Sequence, residues 1–567
     1  MEKRGKLVVG GVSIILIVGV VIGLVAVVCT KKSNKDQLST SSKAVAAICD
    51  PTDYKEACID SLGSVAKNDS ASPKDLIQAA IDSTIKTVKS AIENSSSIAK
   101  SFKAINSTGK MAMDDCKDLL ESAIADLQAS FSFVGDSNMH TMHDREEELR
   151  NWFSAVISFQ QSCLDGIPQE ELQKLMKDSL LNATQLTSNA LAIASSIAQI
   201  LENFNITLNK DLRPTSSSRR LLEQENDGHG QYPSWFPAAD RRLLAKQDNG
   251  GVKPNAVVAK DGSGQFKTIS AALAAYPKGL QARYIIYVKA GVYNEYVTVT
   301  KNQINVFMYG DGPRNTMVTG SKSFADGITT QNTATFAAIG NGFLAKGMGF
   351  QNTAGAQKHQ AVALRVQSEM SAFFNCRMDA YQDTLYAQTH RQFYRNCVIS
   401  GTVDFIFGDS PTLIQNSLII VRKPMDNQKN TVTAQGREDR RENTAIVIQN
   451  CRIVPEEVLF PLRFKIPSYL GRPWKTYART VIMESELGDF IQPAGWLPWS
   501  GNFALDTLYY AEYGNRGPGA ATNQRVRWKG YHVINRNDAL QFTAGPFLLA
   551  DRWLKTTGIP YFAGLKT

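Results

Sequence analysis

The sequence predicts two unlike folds in one chain, an antiparallel bundle of α-helices followed by a parallel β-helix, and three observations predict them. Between about residues 44 and 209, apolar residues recur at spacings of three and four, as in Ile81, Ile85, Val88 and Ile92, which places them on one helical face. Beyond Val252 that period gives way to short β-rich runs such as Tyr284–Val288 and Leu418–Val421, among which Asn-bearing strings return about every 20 residues. Between the two regions, residues 211–252 are polar, Ser/Arg-rich and without apolar period, which reads as an exposed linker.

At 567 residues the chain is too long for one ordinary core, and 43% apolar with 20% charged residues favours packed domains over disorder. The first element is the uncharged, nearly all-apolar stretch from Leu7 to Cys29, flanked by Lys3, Arg4 and Lys6 and by Lys31 and Lys32. It is long enough to span a bilayer. Its length favours an uncleaved signal-anchor over a signal peptide, whose nearest small-residue cleavage site, Ala44-Val45-Ala46, lies well downstream. Either reading sends the rest of the chain into the secretory pathway. Five Asn-x-Ser/Thr sequons, at Asn68, Asn94, Asn106, Asn182 and Asn205, agree with that route, and all precede residue 210. Residues 1–43 are thus read as targeting segment and flank, 44–210 as the helical domain, 211–252 as linker and 253–567 as the β domain.

In the helical domain similar apolar spacing runs through Leu119–Leu127 and Leu180–Leu201. Several amphipathic helices joined by short loops imply a bundle. Cys49, Cys58, Cys116 and Cys163 are an even number in an oxidising compartment, so two disulfides are expected, with the pairing left open by spacing alone. The linker holds Arg219-Arg220-Leu221-Leu222 and Arg241-Arg242-Leu243-Leu244. Dibasic pairs in an exposed lumenal linker are natural protease sites.

In the β domain the strings Phe350-Gln351-Asn352, Phe374-Asn375-Cys376, Tyr394-Arg395-Asn396-Cys397, Ile414-Gln415-Asn416-Ser417 and Ile448-Gln449-Asn450-Cys451 echo one another. Their spacing fits the coils of a parallel β-helix, with the longer step from Asn416 to Asn450 taken as a coil with an inserted loop. From Ala245 onward the chain holds 36 Lys+Arg against 23 Asp+Glu, a net +13, so the whole-chain +9 leaves −4 for the rest. The basic half suits a polyanionic partner, and charge alone does not choose between nucleic acid, anionic lipid and acidic polysaccharide.

Common hydrolytic machinery is missing. There is no Gly-x-Ser-x-Gly elbow, no His-Glu-x-x-His and no Cys-x-x-Cys, and the chain has six histidines, of which His140 and His143 read as a solvated face. A Ser-His-Asp triad and a metal centre are therefore not expected. What remains is a carboxylate and amide cluster. Asp383, in Tyr381-Gln382-Asp383-Thr384-Leu385-Tyr386, precedes Asp404, in Gly401-Thr402-Val403-Asp404-Phe405-Ile406-Phe407-Gly408, by 21 residues. If one coil is that long, the two carboxylates are neighbours about 4.8 Å apart along the coil axis. Such a pair resists double ionisation, so one member tends to keep a proton and the other acts as nucleophile or base. Gln360, in Gln360-Ala361-Val362-Ala363-Leu364-Arg365, lies 22 residues before Gln382, so the two amides stack beside the acids and can stabilise an oxyanion. Arg472 and Trp474, in Leu470-Gly471-Arg472-Pro473-Trp474, supply a cation to keep Asp404 ionised and a flat face for a sugar ring.

These strings together resemble the catalytic domain of pectin methylesterases over residues 252–567. Further matches are Ala259-Lys260-Asp261-Gly262-Ser263-Gly264, Gly291-Val292-Tyr293-Asn294-Glu295 and Gly501-Asn502-Phe503-Ala504-Leu505 leading to Tyr509-Tyr510. The resemblance implies a right-handed parallel β-helix with Asp404 as nucleophile, Asp383 as acid and then base, and Gln382 as transition-state stabiliser. It implies Gln360 in the same pocket, and Thr330, Arg472 and Trp474 on the substrate. It also implies no metal or organic cofactor and no nucleic-acid partner. The implied substrate is methyl-esterified homogalacturonan of plant cell walls, and the mature enzyme is expected to be an extracellular monomer.

The helical region is similar to the pectin methylesterase inhibitor family through Cys49-Asp50-Pro51-Thr52-Asp53-Tyr54 leading to Cys58, and the later Cys116 and Cys163. That resemblance implies a four-helix bundle with a short helical hairpin, bridges Cys49–Cys58 and Cys116–Cys163, and an inhibitory or retaining role until a protease cuts at Arg219-Arg220 or Arg241-Arg242. One position departs from the esterase pattern: the family's cysteine at 417 is Ser417, which leaves Cys397 to bridge Cys376 or to remain a buried thiol beside Cys376 and Cys451. Two other readings compete, cleavage of polygalacturonan on the same fold and a wall-binding or inhibitor protein without catalysis. The Gln-Asp and Arg-Pro-Trp strings speak against the first, and the complete polar set against the second.

Overall fold

The computed structural model describes residues 40–208 and 253–566, except 64, 66–70, 103 and 281. The apolar stretch 7–29, the linker 211–252 with both dibasic strings, and Asn68 lie outside the described residues. Among the described residues no helix is long and apolar enough to cross a membrane.

The N-terminal region is helical. A hairpin of α1 (Thr40–Cys49) and α2 (Lys55–Leu62) leads into four long helices, α3 (Pro73–Ser101), α4 (Ser107–Gly135), α5 (Glu146–Asp165) and α6 (Glu170–Ala194), and a short α7 (Ile197–Asn203). Local chemistry sets the helix starts. Ser72 accepts from the Asp75 amide while Asp75 accepts from the Ser72 amide, and Pro73 fills the first turn. Asn106 caps α4 through the Gly109 amide at 2.7 Å, and Glu146, Glu147 and Glu148 meet the positive end of α5. Ile81, Ile85 and Val88 face the bundle core, with Ile92 partly covered at its edge. The apolar run from Leu180 to Leu201 is broken at Ser195-Ser196, where α6 ends and α7 begins. Cys49 is bonded to Cys58 and Cys116 to Cys163.

From Ala256 the chain winds as a parallel β-helix. Its strands form three parallel sheets of eleven (sheet A, Ala256–Val258 to Tyr531–Val533), eight (sheet B, Gly291–Asn294 to Glu486–Leu487) and seven strands (sheet C, Val297–Val299 to Ser468–Gly471). The winding is right-handed, the sense that connections between parallel strands almost always take. Inward residues of all three sheets form one core, including Ile286, Phe350, Phe373, Leu385, Ile406 and Ile448. A helix the β-rich runs did not announce, α8 (Ile269–Ala274), closes the first coil with Ile269, Ala272 and Leu273, and Glu295 accepts from its Ile269 and Ser270 amides at 2.9 and 3.0 Å.

The helical period also returns at the C-terminus, contrary to the expectation of a purely β-rich region. Helices α9 (Arg536–Leu540), α10 (Ala544–Leu548) and α11 (Ala550–Thr557) cover the outer face of sheet A, burying Phe393, Leu413 and Val481 under Ala544, Leu548, Trp553 and Leu554. They are too short for a sustained period to show in sequence. Sheet B turns its outer face to solvent, where Val292 and Arg452 are exposed. Sheet C lies under the helical domain.

The asparagine repeat marks the corner between sheets A and B. Asn375, Asn396, Asn416 and Asn450 all have left-handed backbone, a conformation Asn tolerates better than other side-chain-bearing residues. The side-chain amides of the last three form a ladder, Asn416 Nδ2 donating to Asn396 Oδ1 at 2.6 Å and Asn450 Nδ2 to Asn416 Oδ1 at 3.0 Å. Asn352 does not belong to this series. Phe374 pairs with Lys346, so the preceding corner falls on Gly347, whose φ of +63° suits glycine. Asn352 instead ends a strand of sheet B, buried, donating to the carbonyls of Lys322, Thr333 and Val362. The letters repeat there, but the residue stands at a different corner.

Beside the ladder, Cys376, Cys397 and Cys451 are free and buried. Ser417 occupies the stack between them, accepting from the Cys397 amide at 3.0 Å while its own amide donates to Cys451 Sγ at 3.3 Å. Burial pushes the Cys451 thiol up to about 12 and Cys397 well above the usual thiol range, so both stay protonated.

Candidate active site

Sheets B and C meet at a corner where the chain again turns left-handed, and here the residues are aspartates: Asp383 with φ +65° and Asp404 with φ +50°. Leu385 pairs with Ile406, so the two aspartates hold the same position on successive coils, and the Asp383 amide donates to the Val403 carbonyl at 3.2 Å. Non-glycine residues held in this region are costly and collect at functional sites.

Their surroundings differ. Arg472 grips Asp404 with both arms, Nε to Oδ1 at 2.8 Å and Nη2 to Oδ2 at 2.6 Å, and the Thr431 hydroxyl donates to Oδ1 at 2.7 Å. Arg472 in turn lies over the Trp499 ring at 4.3 Å. Burial opposes its charge, but the hydrogen bonds and charge of Asp404 outweigh that and raise it above the usual guanidinium range. Asp383 has no such clamp. Burial first, and the charge of Asp404 second, hold its carboxyl well above the ordinary carboxylate range, with Arg472 pulling weakly the other way. One carboxylate with three charge-satisfying donors and one carboxyl that keeps its proton stand a single coil apart.

Gln382 directly precedes Asp383 and pairs across the coil with Gln360, so both amides lie at the level of the acids. The floor of the cleft is the outward row of sheet C, where Tyr386 stacks on Phe407 at 4.3 Å with planes 10° apart. Trp474 meets Phe407 edge-on at 6.0 Å. Gly436 makes room for it, since a β-carbon there would come within 2.9 Å of the indole. Thr330 begins a 3-10 turn, Thr330–Thr333, at the rim. Tyr386 and Phe407 sit inside the two motif strings, and alternation along a strand could have assigned them to the cleft. Thr431 and Trp499 carry no comparable signal, because each arrives on a segment of irregular length.

The helical domain covers this cleft through α5, which is buried on nearly every side because it lies between the bundle core and sheet C. Along it, Glu148 binds Arg391 with Nη2 at 2.6 Å, Ser158 donates to the Gln388 carbonyl at 2.8 Å, Ser162 meets the Tyr386 hydroxyl at 3.0 Å and Asp165 pairs with Lys475 at 2.6 Å. At the rim, Asp115 of α4 accepts from Thr329 at 2.5 Å and Asn332 at 2.7 Å, Asp126 contacts His390 Nε2 at 3.0 Å, and Asp53 binds Arg440 and Arg441 at 2.7 and 2.6 Å. Asp383, Asp404 and Tyr386 are consequently 7%, 6% and 5% exposed. Asn94, Asn106, Asn182 and Asn205 are all exposed. His140 is exposed and His143 only partly so, each outside the cleft.

Residues 255–551 match the family model described as pectinesterase, and residues 43–193 match plant invertase/pectin methylesterase inhibitor. A candidate pectinesterase/pectinesterase inhibitor of Arabidopsis thaliana is 42% identical over 569 residues, spanning all of this chain and 75% of the relative. Pectinesterase 1 of Citrus sinensis is 43% identical over 554 residues, 96% of this chain and 92% of the relative. The solved pectin methylesterase from carrot is 55% identical with a TM-score of 0.56, and 56% of this chain covers 100% of it. The chain belongs to the pectinesterase family, as a pectin methylesterase with an N-terminal domain of the pectin methylesterase inhibitor type.

Proposed function

We propose that Asp404 and Asp383 divide the hydrolysis of galacturonate methyl esters between them, as nucleophile and as acid then base. Asp404 attacks the ester carbonyl carbon, and the amides of Gln382 and Gln360 receive the oxyanion that forms. Asp383 gives its proton to the departing methoxide, releasing methanol and leaving an acyl–Asp404 anhydride. The Asp383 carboxylate then takes a proton from water, whose oxygen attacks the polymer's acyl carbon; Asp404 leaves as carboxylate and the polymer acid loses its proton to solvent, which restores both aspartates. Arg472 fixes the nucleophile, while Trp474 and Thr330 hold the sugar chain. The carrying observation is the inequality of the pair: donors surround Asp404, whereas burial beside a like charge keeps Asp383 protonated.

The test uses residues 245–567 on esterified pectin. This part draws its main core from residues after Ala256, and the carrot enzyme is matched over its whole length by a comparable share of the chain. Methanol release is expected from the wild type and a loss of at least about a thousandfold in Asp404→Asn. Equal rates in the two proteins would sink the assignment.

The helical domain is read as an autoinhibitor. It covers the cleft, and its removal at Arg219-Arg220 or Arg241-Arg242 by a processing protease would release a monomeric enzyme to the cell wall. The apolar N-terminus and the exposed sequons support passage through the secretory route with glycosylation at Asn94, Asn106, Asn182 and Asn205, and Asn68 is proposed with them. Replacing the four linker arginines by Ala should hold the chain uncleaved inside the cell, and normal export of processed protein would refute this.

A further inference from the structure

A cavity of about 750 Å³ lies in the helical domain between the N-terminal hairpin and helices α3 and α6, and none of its lining residues belongs to the β-helix. Its wall is polar: Tyr54 and Asp60 come from the hairpin, Ser83 and Thr87 from α3, and Asn182 and Gln185 from α6. Asn182 is the acceptor of the sequon Asn182-Ala183-Thr184, so the point of attachment for a glycan is itself part of the cavity wall. Tyr54 is 43% exposed, while its main chain is held in place, the amide donating to Asn189 Oδ1 at 3.1 Å and the carbonyl accepting from Asn189 Nδ2 at 2.9 Å. Asp53, also in the wall, carries the ion pairs to Arg440 and Arg441 of the β-helix at 2.7 and 2.6 Å. The cavity therefore backs the hairpin that docks on the β-helix.

A sugar ring is apolar on its faces and hydroxylated around its rim, and one open aromatic ring among carboxylate, amide and hydroxyl groups matches both. The volume lies within the range of about 300–1,000 Å³ that small ligands occupy. Tethering removes most of the cost of association, so a site too weak to hold a free sugar is filled by one attached at its own wall. We propose that the glycan carried by Asn182 turns back into this cavity, its first N-acetylglucosamine units stacked on Tyr54 and hydrogen-bonded to Asp60 and Gln185, and so braces the hairpin that carries Asp53. Attachment replaces a hydrogen on Asn182 Nδ2 by a bond to the anomeric carbon of the first sugar, whose lipid diphosphate leaves with that proton. The inference rests on the glycosylation proposed above. Asn94, exposed on α3, lines no part of the cavity and serves as the reference sequon.

The experiment takes the full chain from a eukaryotic host, with Arg219, Arg220, Arg241 and Arg242 replaced by Ala so that it stays uncleaved. The folded protein is treated with an endoglycosidase that cuts between the two N-acetylglucosamine units, and Asn182 and Asn94 are followed by peptide mass spectrometry. Asn182 should be trimmed at least about tenfold more slowly than Asn94 in the folded chain and equally fast after denaturation, because a seated sugar is cut only while it is out of the cavity. Tyr54→Ala should bring Asn182 to the Asn94 rate, and Tyr54→Phe, which keeps the ring, should preserve the protection. Thr184→Ala abolishes the sequon and leaves Asn182 in place; it should speed amide exchange across residues 55–62 about fivefold or more, whereas Asn94→Gln should leave that exchange unchanged. Equal trimming of Asn182 and Asn94 in the folded chain, protection that survives Tyr54→Ala, or exchange unmoved by Thr184→Ala would overturn the seated glycan alone. An Asn182 that carries no sugar would overturn the glycosylation reading at that sequon, and the inference with it.

Discussion

Asp383 is where function and stability pull apart. Its carboxyl is raised on folding by burial and by Asp404, so the folded state holds that proton more tightly than the unfolded chain. The sign follows: stability is full at low pH and is lost as pH rises through the folded value, because the charged form is then left beside Asp404. Asp383→Asn removes that penalty and keeps the shape. At neutral pH it should raise Tm by roughly 1 °C, the shift that about 1 kcal/mol gives in a chain this long, while methanol release falls about 10²–10⁴-fold. A calorimetric scan that shows the variant melting lower would contradict the account. The pair was legible in sequence because 21 residues make one coil and both aspartates stand in strings with the same strand phase. Thr431 was not, since its coil is lengthened by the segment between Val421 and Asn430, and no spacing rule reaches across it.

The corner between sheets A and B carries its own requirement. Asn396, Asn416 and Asn450 turn left-handed, and Asn416 both donates to one neighbour and accepts from the other. Asn416→Ala places a β-carbon where the backbone disfavours it and breaks two ladder bonds, so urea unfolding should show a loss of about 1–3 kcal/mol. Asn416→Gly removes the bonds but not the backbone fit and should lose less; the reverse order would refute the ladder as a stabilising element. A second element-level dependence is the Glu512–Arg525 pair, 2.7 Å apart and almost wholly buried, with Tyr531 and Trp496 also donating to Glu512. Glu512→Ala strands the guanidinium and should cost about 3–5 kcal/mol, read from the same denaturant midpoint. The ladder was readable because Asn recurs with the coil. Asn352 misled because letters repeat without regard to which corner they occupy. The C-terminal helices escaped because five- to eight-residue pieces show too few turns for a period. Helix α5 was hidden differently: buried on both sides, it carries Asn151, Ser154, Ser158 and Gln160 where a surface helix would show a polar stripe.

At the scale of the whole molecule, the helical domain and the β-helix meet through carboxylates on cations. Asp53 binds Arg440 and Arg441, Glu148 and Glu369 both bind Arg391, Asp165 binds Lys475, and Asp126 binds His390. Burial opposes the charge of Arg391, but Glu369 and Glu148 outweigh it, and the hydrogen bond to Asp53 raises Arg441, so pH acts through the rest. His390 is enclosed by Asp126 of α4, Glu369, the Gln367 carbonyl and the edge of Phe159 of α5. Burial opposes its charge, but Asp126 and Glu369 prevail and lift it to about 9. A histidine raised on docking stabilises the closed state fully below its ordinary value near 6.5 and loses that contribution as pH rises through about 9. Asp165 is raised chiefly by burial, with Lys475 of the β-helix pulling the other way, and a carboxyl raised in this way also favours the covered state at low pH. Both groups therefore weaken closure in the same direction. Uncleaved precursor with the linker arginines replaced should release little methanol at pH 6 and roughly tenfold more, relative to the free 245–567 fragment, at pH 9.5, a change within the usual range of coupling energies. Asp126→Asn should flatten that ratio by raising the low-pH activity. A ratio that does not change with pH in the precursor, or changes equally in Asp126→Asn, would mean that closure depends on the permanent arginine pairs rather than on His390.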